Sequence, residues 1–516
     1  MKTERKLMVI GLVCLLVSIA FGSAFAVTRT ITSTGDSFDT YIRNSKGNYW
    51  TATGANLQLA VNDLTTGGTV WLPAGTIYLP DSFYVTYNHT AIIGAGMYQT
   101  TIKMGIATAV HGFYCFNKHD IVLSGFTYHG NNSGLSGGGQ TNSHGIDIRA
   151  TKNLTMRDIR ILYPAGEGLV FGDGTYDTWT SNGKGVEDFT VDNLVVQGIY
   201  GTGAHHGILL ESGTWGVFNN VKIDGSYNVG DGIDINDLAD NVTFNNLFID
   251  NVTGDCMKVN GCNELIMNNV HFNQSHTGLK VFTNARTIIV NGLYINCHQT
   301  AIFLYQTGGF PCIINDFNIN VSGGTVTEAV AFNGGQSNIS FSNGYISGAD
   351  DYGVYLTTSS NISFDNVHFS NNHAGSIYVL KSAYVDIEKC DAIGSSHKGL
   401  YLHHANHTKI ADCKILKNTE WGIYIEGSNN VSVTDSEVRS PTSSGAYGGM
   451  RIMNSSGLRI EDNSVLGCHE SILMDNTYCN NYLILGNYVA GNTHVPHNAT
   501  GATWCQVFHN GPQIPT

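Results

Sequence analysis

The chain is short of positive charge. It carries 26 Lys and Arg against 40 Asp and Glu, and only 13% of its 516 residues are charged. Such a surface repels a phosphate backbone, which argues against nucleic acid as a partner. None of the 11 cysteines forms a C-x-x-C pair, which argues against a zinc ribbon or a thioredoxin-type site. After residue 26 no apolar run is long enough to cross a bilayer. Proline is scarce, at 8, and apolar residues at helical spacing are nearly absent. Glycine, at 61, and asparagine are abundant instead.

The N-terminus stands apart. MKTERK is a basic head, LMVIGLVCLLVSIAFG an apolar centre, and Ala24-Phe25-Ala26 an A-x-A site. This predicts a signal peptide over 1–26, with an uncleaved anchor as the rival, and places the protein outside the cell or at its surface. Cleavage leaves 23 basic against 39 acidic residues, a net charge of −16. A polyanionic partner then needs local Lys or Arg, or a bridging cation. Cys390 and Cys413 recur 23 residues apart, as a disulfide or as buried thiols.

From residue 111 one phrase recurs: a small residue, then alternating apolar residues. HGIDIR, EGLVFG, HGILLE, DGIDIN, DCMKVN, TGLKVF, YGVYLT and KGLYLH are examples, mostly 22–25 residues apart. Between them lie second strands such as NVTFNNLFID and NISFDNVHFS. A unit this small cannot bury its own apolar face, so copies must stack. The reading is all-β: a right-handed parallel β-helix over 68–490, preceded by a segment 27–67 and followed by a tail 491–516. Leucine-rich repeats are the rival, but their Leu/Asn consensus is missing. Leu57, Ala60, Val61 and Leu64 share one side of a short helix over Asn56–Leu64, expected to cap the exposed end of the core.

Stacked coils turn equal positions into ladders. The residue before the small position runs His111, His144, Glu167, His206, Asp231, Asp255, with His276 one place early in the next coil. The second residue after it runs Tyr114, Asp147, Val170, Leu209, Asp234, Lys258, Lys280, Phe303, Ala331, Tyr355, Tyr378, Tyr401, Tyr424. Asp231, Asp234, Asp255, Lys258, Lys280, His206 and His276 are therefore expected in one groove. HGNNSGLSGGGQTNS and GDGTYDTWTSNGKG are inserts long enough to wall it. Asp147, Tyr355 and Tyr378 are candidate substrate contacts. Asp ladders also serve turns, and tyrosine ladders also stabilise sheets. His403-His404-x-x-His407 has a metal-like spacing, but a strand does not make it converge. Asn241-Val-Thr and Asn361-Ile-Ser are either glycosylation sites or turn ends.

The stretch from Asn56 to Gly96, with GGTVWLPAGTIYL and TAIIGAG, resembles the opening of the pectate-lyase superfamily. That resemblance implies a right-handed β-helix. VGDGIDI, TGDCMKV and SHTGLKV in turn resemble the N-T-D-G, G-D-D and G-H-G motifs of polygalacturonase-type glycoside hydrolases. Gly254 stands where that family has the first Asp of G-D-D, and TAIFLY where it has R-I-K. The likeness implies Asp255 as general acid, Asp231 as water activator and His276 as helper. The predicted partner is an acidic polysaccharide, cleaved by hydrolysis or by β-elimination. Elimination would require Ca²⁺ on the carboxylates and a lysine base. The alternative is a non-catalytic glycan-binding or envelope solenoid.

Overall fold

A computed structural model describes residues 40–105, 111–131, 144–164, 166–173, 185–199, 205–225, 230–305, 311–322, 328–439, 448–475, 479–490 and 505–508. Over these residues the chain winds into a β-solenoid of about 15 turns, a right-handed parallel β-helix. The signal-peptide region lies outside the described residues. Among the described residues no helix is long and apolar enough to cross a membrane.

The repeat phase predicts the strand register. Ile208 pairs with Ile233, Ile233 with Met257, and Met257 with Leu279, all in parallel. Gly232, Cys256 and Gly278 therefore stack on successive coils. The small residue in each phrase follows from close approach. A Cβ on Gly232 would stand 2.6 Å from the Cys256 carbonyl oxygen and 2.6 Å from Ile249 Cγ2. Inside, apolar residues of equal phase stack along the axis. Phe189 and Phe218 meet edge-on at 5.3 Å, and Phe218 and Phe244 stack at 4.6 Å with 5° between their planes.

Asparagine earns its abundance at the corners. Asn220, Asn246 and Asn269 adopt φ of 54°, 56° and 55°, the left-handed region that Asn tolerates best after Gly. Each amide donates to the coil before it: Asn246 to Asn220 Oδ1 at 3.0 Å and Asn269 to Asn246 Oδ1 at 2.9 Å. A second ladder runs Asn219, Asn245, Asn268, Asn291, Asn315, with links of 2.8–3.1 Å. Asn268→Ala removes two of those links from half-buried partners. It is expected to cost about 1–3 kcal/mol, measured by urea unfolding. Asn241 and Asn361 also have positive φ, 51° and 54°, as turn-ending asparagines do.

The ends differ from expectation in detail. The helix spans Gly54–Asn62, two residues earlier than expected, because Thr53 caps it and accepts the Asn56 N–H. Leu57, Ala60, Val61 and Leu64 are fully buried beneath it. An antiparallel hairpin, Tyr41–Asn44 with Tyr49–Thr51, precedes it and pairs with Gly68–Trp71, so the first strand has no open edge. At the other end Cys505–Phe508, in the stretch read as a tail, adds in parallel to Asn480–Leu485. Cys390 and Cys413 are buried free thiols on adjacent coils, bonded to the Glu388 and Ala411 carbonyls. The disulfide alternative is not what the structure adopts.

Candidate functional site

Backbone hydrogen bonds make the ionisable ladder continuous. The N–H of Gly112, Gly145, Gly168, Gly207 and Gly232 donates in turn to the carbonyl of His144, Glu167, His206, Asp231 and Asp255. The outward ladder is continuous too, from Tyr114 and Asp147 through Asp234, Lys258 and Lys280 to Phe303. The two ladders share one side of the solenoid, and the side chains on it form two clusters.

The first cluster is the one expected. Asp234 Oδ2 faces Lys258 Nζ at 3.2 Å and His206 Nε2 at 3.6 Å, and Asp234 Oδ1 accepts the Asn260 amide at 2.9 Å. Asp255 Oδ2 faces Lys280 Nζ at 3.2 Å. Asp231 Oδ2 stands 3.6 Å from His206 Nδ1. Asp231 Oδ1 accepts the Asp255 backbone N–H at 2.9 Å, so this carboxylate ties one coil to the next. Burial raises the Asp231 carboxyl above the ordinary range, and the neighbouring Asp255 charge adds to the rise. The Asp255 N–H and His206 oppose it without reversing it. Lys258 and Lys280 stay about a third exposed above carboxylates that are almost wholly buried. His276 does not join them. It is exposed, and its backbone N–H donates to the Gly254 carbonyl.

The packing around Gly254 leaves no room for the first Asp of the G-D-D motif. A Cβ there would stand 2.5 Å from Asp231 Oδ1 and 2.6 Å from the Gly230 carbonyl oxygen. The Asp231 link to the next coil occupies the space. Gly254→Asp, which restores the motif on paper, is expected to destabilise by about 1–3 kcal/mol. Thermal unfolding measures that loss, and an activity assay on the same variant is expected to show no gain.

A second cluster lies toward the N-terminal end, and the sequence showed only part of it. Asp147, expected to meet substrate, has no exposed surface. Arg149 Nε donates to Asp147 Oδ1 at 2.8 Å and Arg149 Nη1 to Glu211 Oε2 at 2.9 Å. His111 Nδ1 stands 3.5 Å from Asp147 Oδ2. His144 pairs closely with Glu167, and His205 Nδ1 lies 3.5 Å from Glu167 Oε1. Burial raises the Asp147 and Glu211 carboxyls despite Arg149. Burial also acts to raise Glu167, but its bonds to His144 and His205 prevail and hold it below the ordinary range. His111 is pushed down to about 3, by burial first and then by His144 and Arg149. Arg149, Glu211 and His205 were not among the expected residues. The signal was present in HGIDIR and HGILLE, whose Arg149 and Glu211 occupy the same phase with opposite sign.

The tyrosines lie elsewhere. Tyr355 is three strands from Lys280 in the ladder, roughly 14 Å along the axis at parallel-strand spacing. Tyr355 meets Tyr378 edge-on at 5.3 Å, and Tyr378 stacks on Tyr401 at 4.6 Å. Their faces are occupied by one another, as in a sheet-stabilising ladder. His403, His404 and His407 do not converge. They engage the Tyr378 hydroxyl, the Gly427 carbonyl and the Tyr384 ring respectively. Most of both inserts, 132–143 and 174–184, lies outside the described residues.

A family model for the right handed beta helix region matches residues 318–447. The N-terminal fragment of bacteriophage phi29 gene product 12 is similar in structure, with a TM-score of 0.50 and 14% identity over 84% of this chain and 85% of that one. The tailspike protein of E. coli bacteriophage HK620, solved with a pentasaccharide, gives 0.44 and 10% over 78% and 76%. The A-module of Azotobacter vinelandii mannuronan C-5 epimerase AlgE6 gives 0.30 and 14% over 86% and 95%. No curated protein matches the chain. At 14% identity the gene product 12 likeness establishes the fold alone, a right-handed β-helix, which is the fold that the opening stretch implied.

Proposed function

We propose that this protein binds an acidic polysaccharide outside the cell and hydrolyses its glycosidic bonds at the His206–Asp231–Asp234–Asp255 row. One observation carries the reading: two part-exposed lysines, Lys258 and Lys280, pair with the nearly buried Asp234 and Asp255 beside Asp231, across two adjoining ladders. The lysines supply positive charge of the kind that a uronate requires on an otherwise acidic chain. Asp231 is the better proton donor, because burial favours its protonated form. Asp255, opposite Lys280, is the better partner for water. These roles reverse those that the polygalacturonase likeness implies.

Elimination fits less well. Calcium takes about six to eight oxygen ligands. Here Asp231 Oδ1 holds a backbone N–H, Asp234 Oδ1 an amide, and Asp234 Oδ2 and Asp255 Oδ2 a lysine each. The residues present do not fit a calcium site, and both candidate lysine bases are engaged. The non-catalytic reading draws on the Asp231 link to the Asp255 N–H, which is a structural use of that carboxylate. A screen of uronate-containing and neutral polysaccharides, with and without chelator, tests the proposal. New reducing ends on the acidic polymers, without ultraviolet-absorbing unsaturated ends, are expected. Unsaturated ends would establish elimination instead, and binding without any product would establish the non-catalytic reading.

A further inference from the structure

Three groups of His, Asp and Glu side chains bring possible ligand atoms within 4.8 Å of one another among the described residues. His89, His119 and Asp120 are on the surface, and both imidazoles already contact Asp120 Oδ2. His206, Asp231 and Asp234 belong to the row above. The remaining group, His111, His144 and Asp147, has no part in the proposed hydrolysis.

We infer that His111, His144 and Asp147 form a binding site for one divalent transition-metal ion of the Zn²⁺ class. Asp147 is fully buried, and its Oδ2 has no hydrogen-bond partner while it points at His111. Its other oxygen is held by Arg149. One oxygen is thus fixed from behind and the other is left for a ligand. His144 is backed by Glu167. A carboxylate behind an imidazole is the arrangement that orients metal-binding histidines and fixes their tautomer. Two nitrogens and one oxygen suit zinc-like ions rather than calcium or magnesium. At metal–ligand distances of about 2.1 Å the donors of a tetrahedral site stand roughly 3.4 Å apart. Atoms already within 4.8 Å reach that separation by small side-chain rotations.

Charge points the same way. With neutral imidazoles the cluster holds three carboxylates, Asp147, Glu167 and Glu211, against one guanidinium, Arg149. Two negative charges then remain in a largely buried setting, which is costly without compensation. A dication balances them. The competing source of balance is protons taken up by the cluster itself. The ligands also come from adjacent coils, His111 from one and His144 and Asp147 from the next. A bound ion therefore ties those coils together.

The test is metal content of the full chain after dialysis against Zn²⁺ and exchange into metal-free buffer. A His89→Gln/His206→Gln background removes the other two groups. In it, one Zn²⁺ per chain is expected, with a rise in thermal midpoint and a visible absorption band when Co²⁺ replaces zinc. Adding His111→Gln or His144→Gln is expected to weaken binding at least tenfold and to abolish both signals. Circular dichroism confirms that the β-helix persists. The inference is overturned if the background protein retains no ion, which leaves protons as the balancing charge. It is equally overturned if the His111→Gln/His144→Gln pair binds zinc as well as its parent. Neither result bears on hydrolysis, which uses a different row.

Discussion

Asp231→Asn is expected to lower hydrolysis of an acidic polysaccharide by about 10²–10⁴-fold, the usual loss when one acid–base group is deleted. The substitution is informative because of what it keeps. An asparagine carbonyl still accepts the Asp255 N–H that Asp231 Oδ1 accepts at 2.9 Å, so the tie between coils survives. Asp231→Ala removes both the tie and the proton. Equal stability but lost turnover in Asn, against lost stability and lost turnover in Ala, separates chemistry from turn structure. Asp255→Asn is expected to cost activity on the same scale and to leave binding within a few-fold, since Lys258 and Lys280 remain. The pH profile follows from the raised Asp231 carboxyl. The native state binds this proton more tightly than the unfolded chain does. The contribution of Asp231 to stability is therefore fullest below its unfolded pKa and is lost as pH rises through its folded one. Activity that needs the protonated form falls over that same rise. Asp231→Asn is expected to flatten this part of the stability curve.

Phe218→Ala is expected to destabilise the protein by about 3–5 kcal/mol, the range for truncating a fully buried phenylalanine. Phe218 is fully buried and touches rings on both neighbouring coils, Phe189 at 5.3 Å and Phe244 at 4.6 Å. The truncation leaves a cavity that the solenoid can close only by bending its stack. Each coil contacts chiefly its neighbours, so the damage is local in origin. Hydrogen exchange is expected to quicken first in strands Val186–Gln197, Ile208–Asp224 and Ile233–Asp250. Strands beyond Tyr352 are expected to keep their protection. Urea unfolding gives the size of the loss.

The sequence made the solenoid legible because its period is a physical one. Each small residue marks a close approach between coils, as at Gly232, so the phrase repeats wherever a coil repeats. Register followed, and with it the placing of Asp231, Asp234, Asp255, Lys258 and Lys280 on one face. What had no period was missed. The hairpin Tyr41–Asn44 with Tyr49–Thr51 occurs once and pairs antiparallel, so no phrase announced it. The Arg149–Glu211 pair joins residues 62 apart through a long side chain, which reaches past the intervening coil. Comparing only nearest coils hides such a link. Burial on the outward face was also illegible. Alternation places Asp147 and Val170 outside the core, yet both are fully buried. The gap left by Gly254 could be read as a lost motif; only the position of Asp231 Oδ1 shows that a side chain there has no room.

The most direct test of the functional account is the structure of Asp255→Asn crystallised with an acidic oligosaccharide. The account predicts sugar lying along the outward ladder, with its carboxylates on Lys258 and Lys280 and a glycosidic oxygen beside Asp231. Sugar bound only along the Tyr355–Tyr424 strip, or on another face of the solenoid, would contradict it.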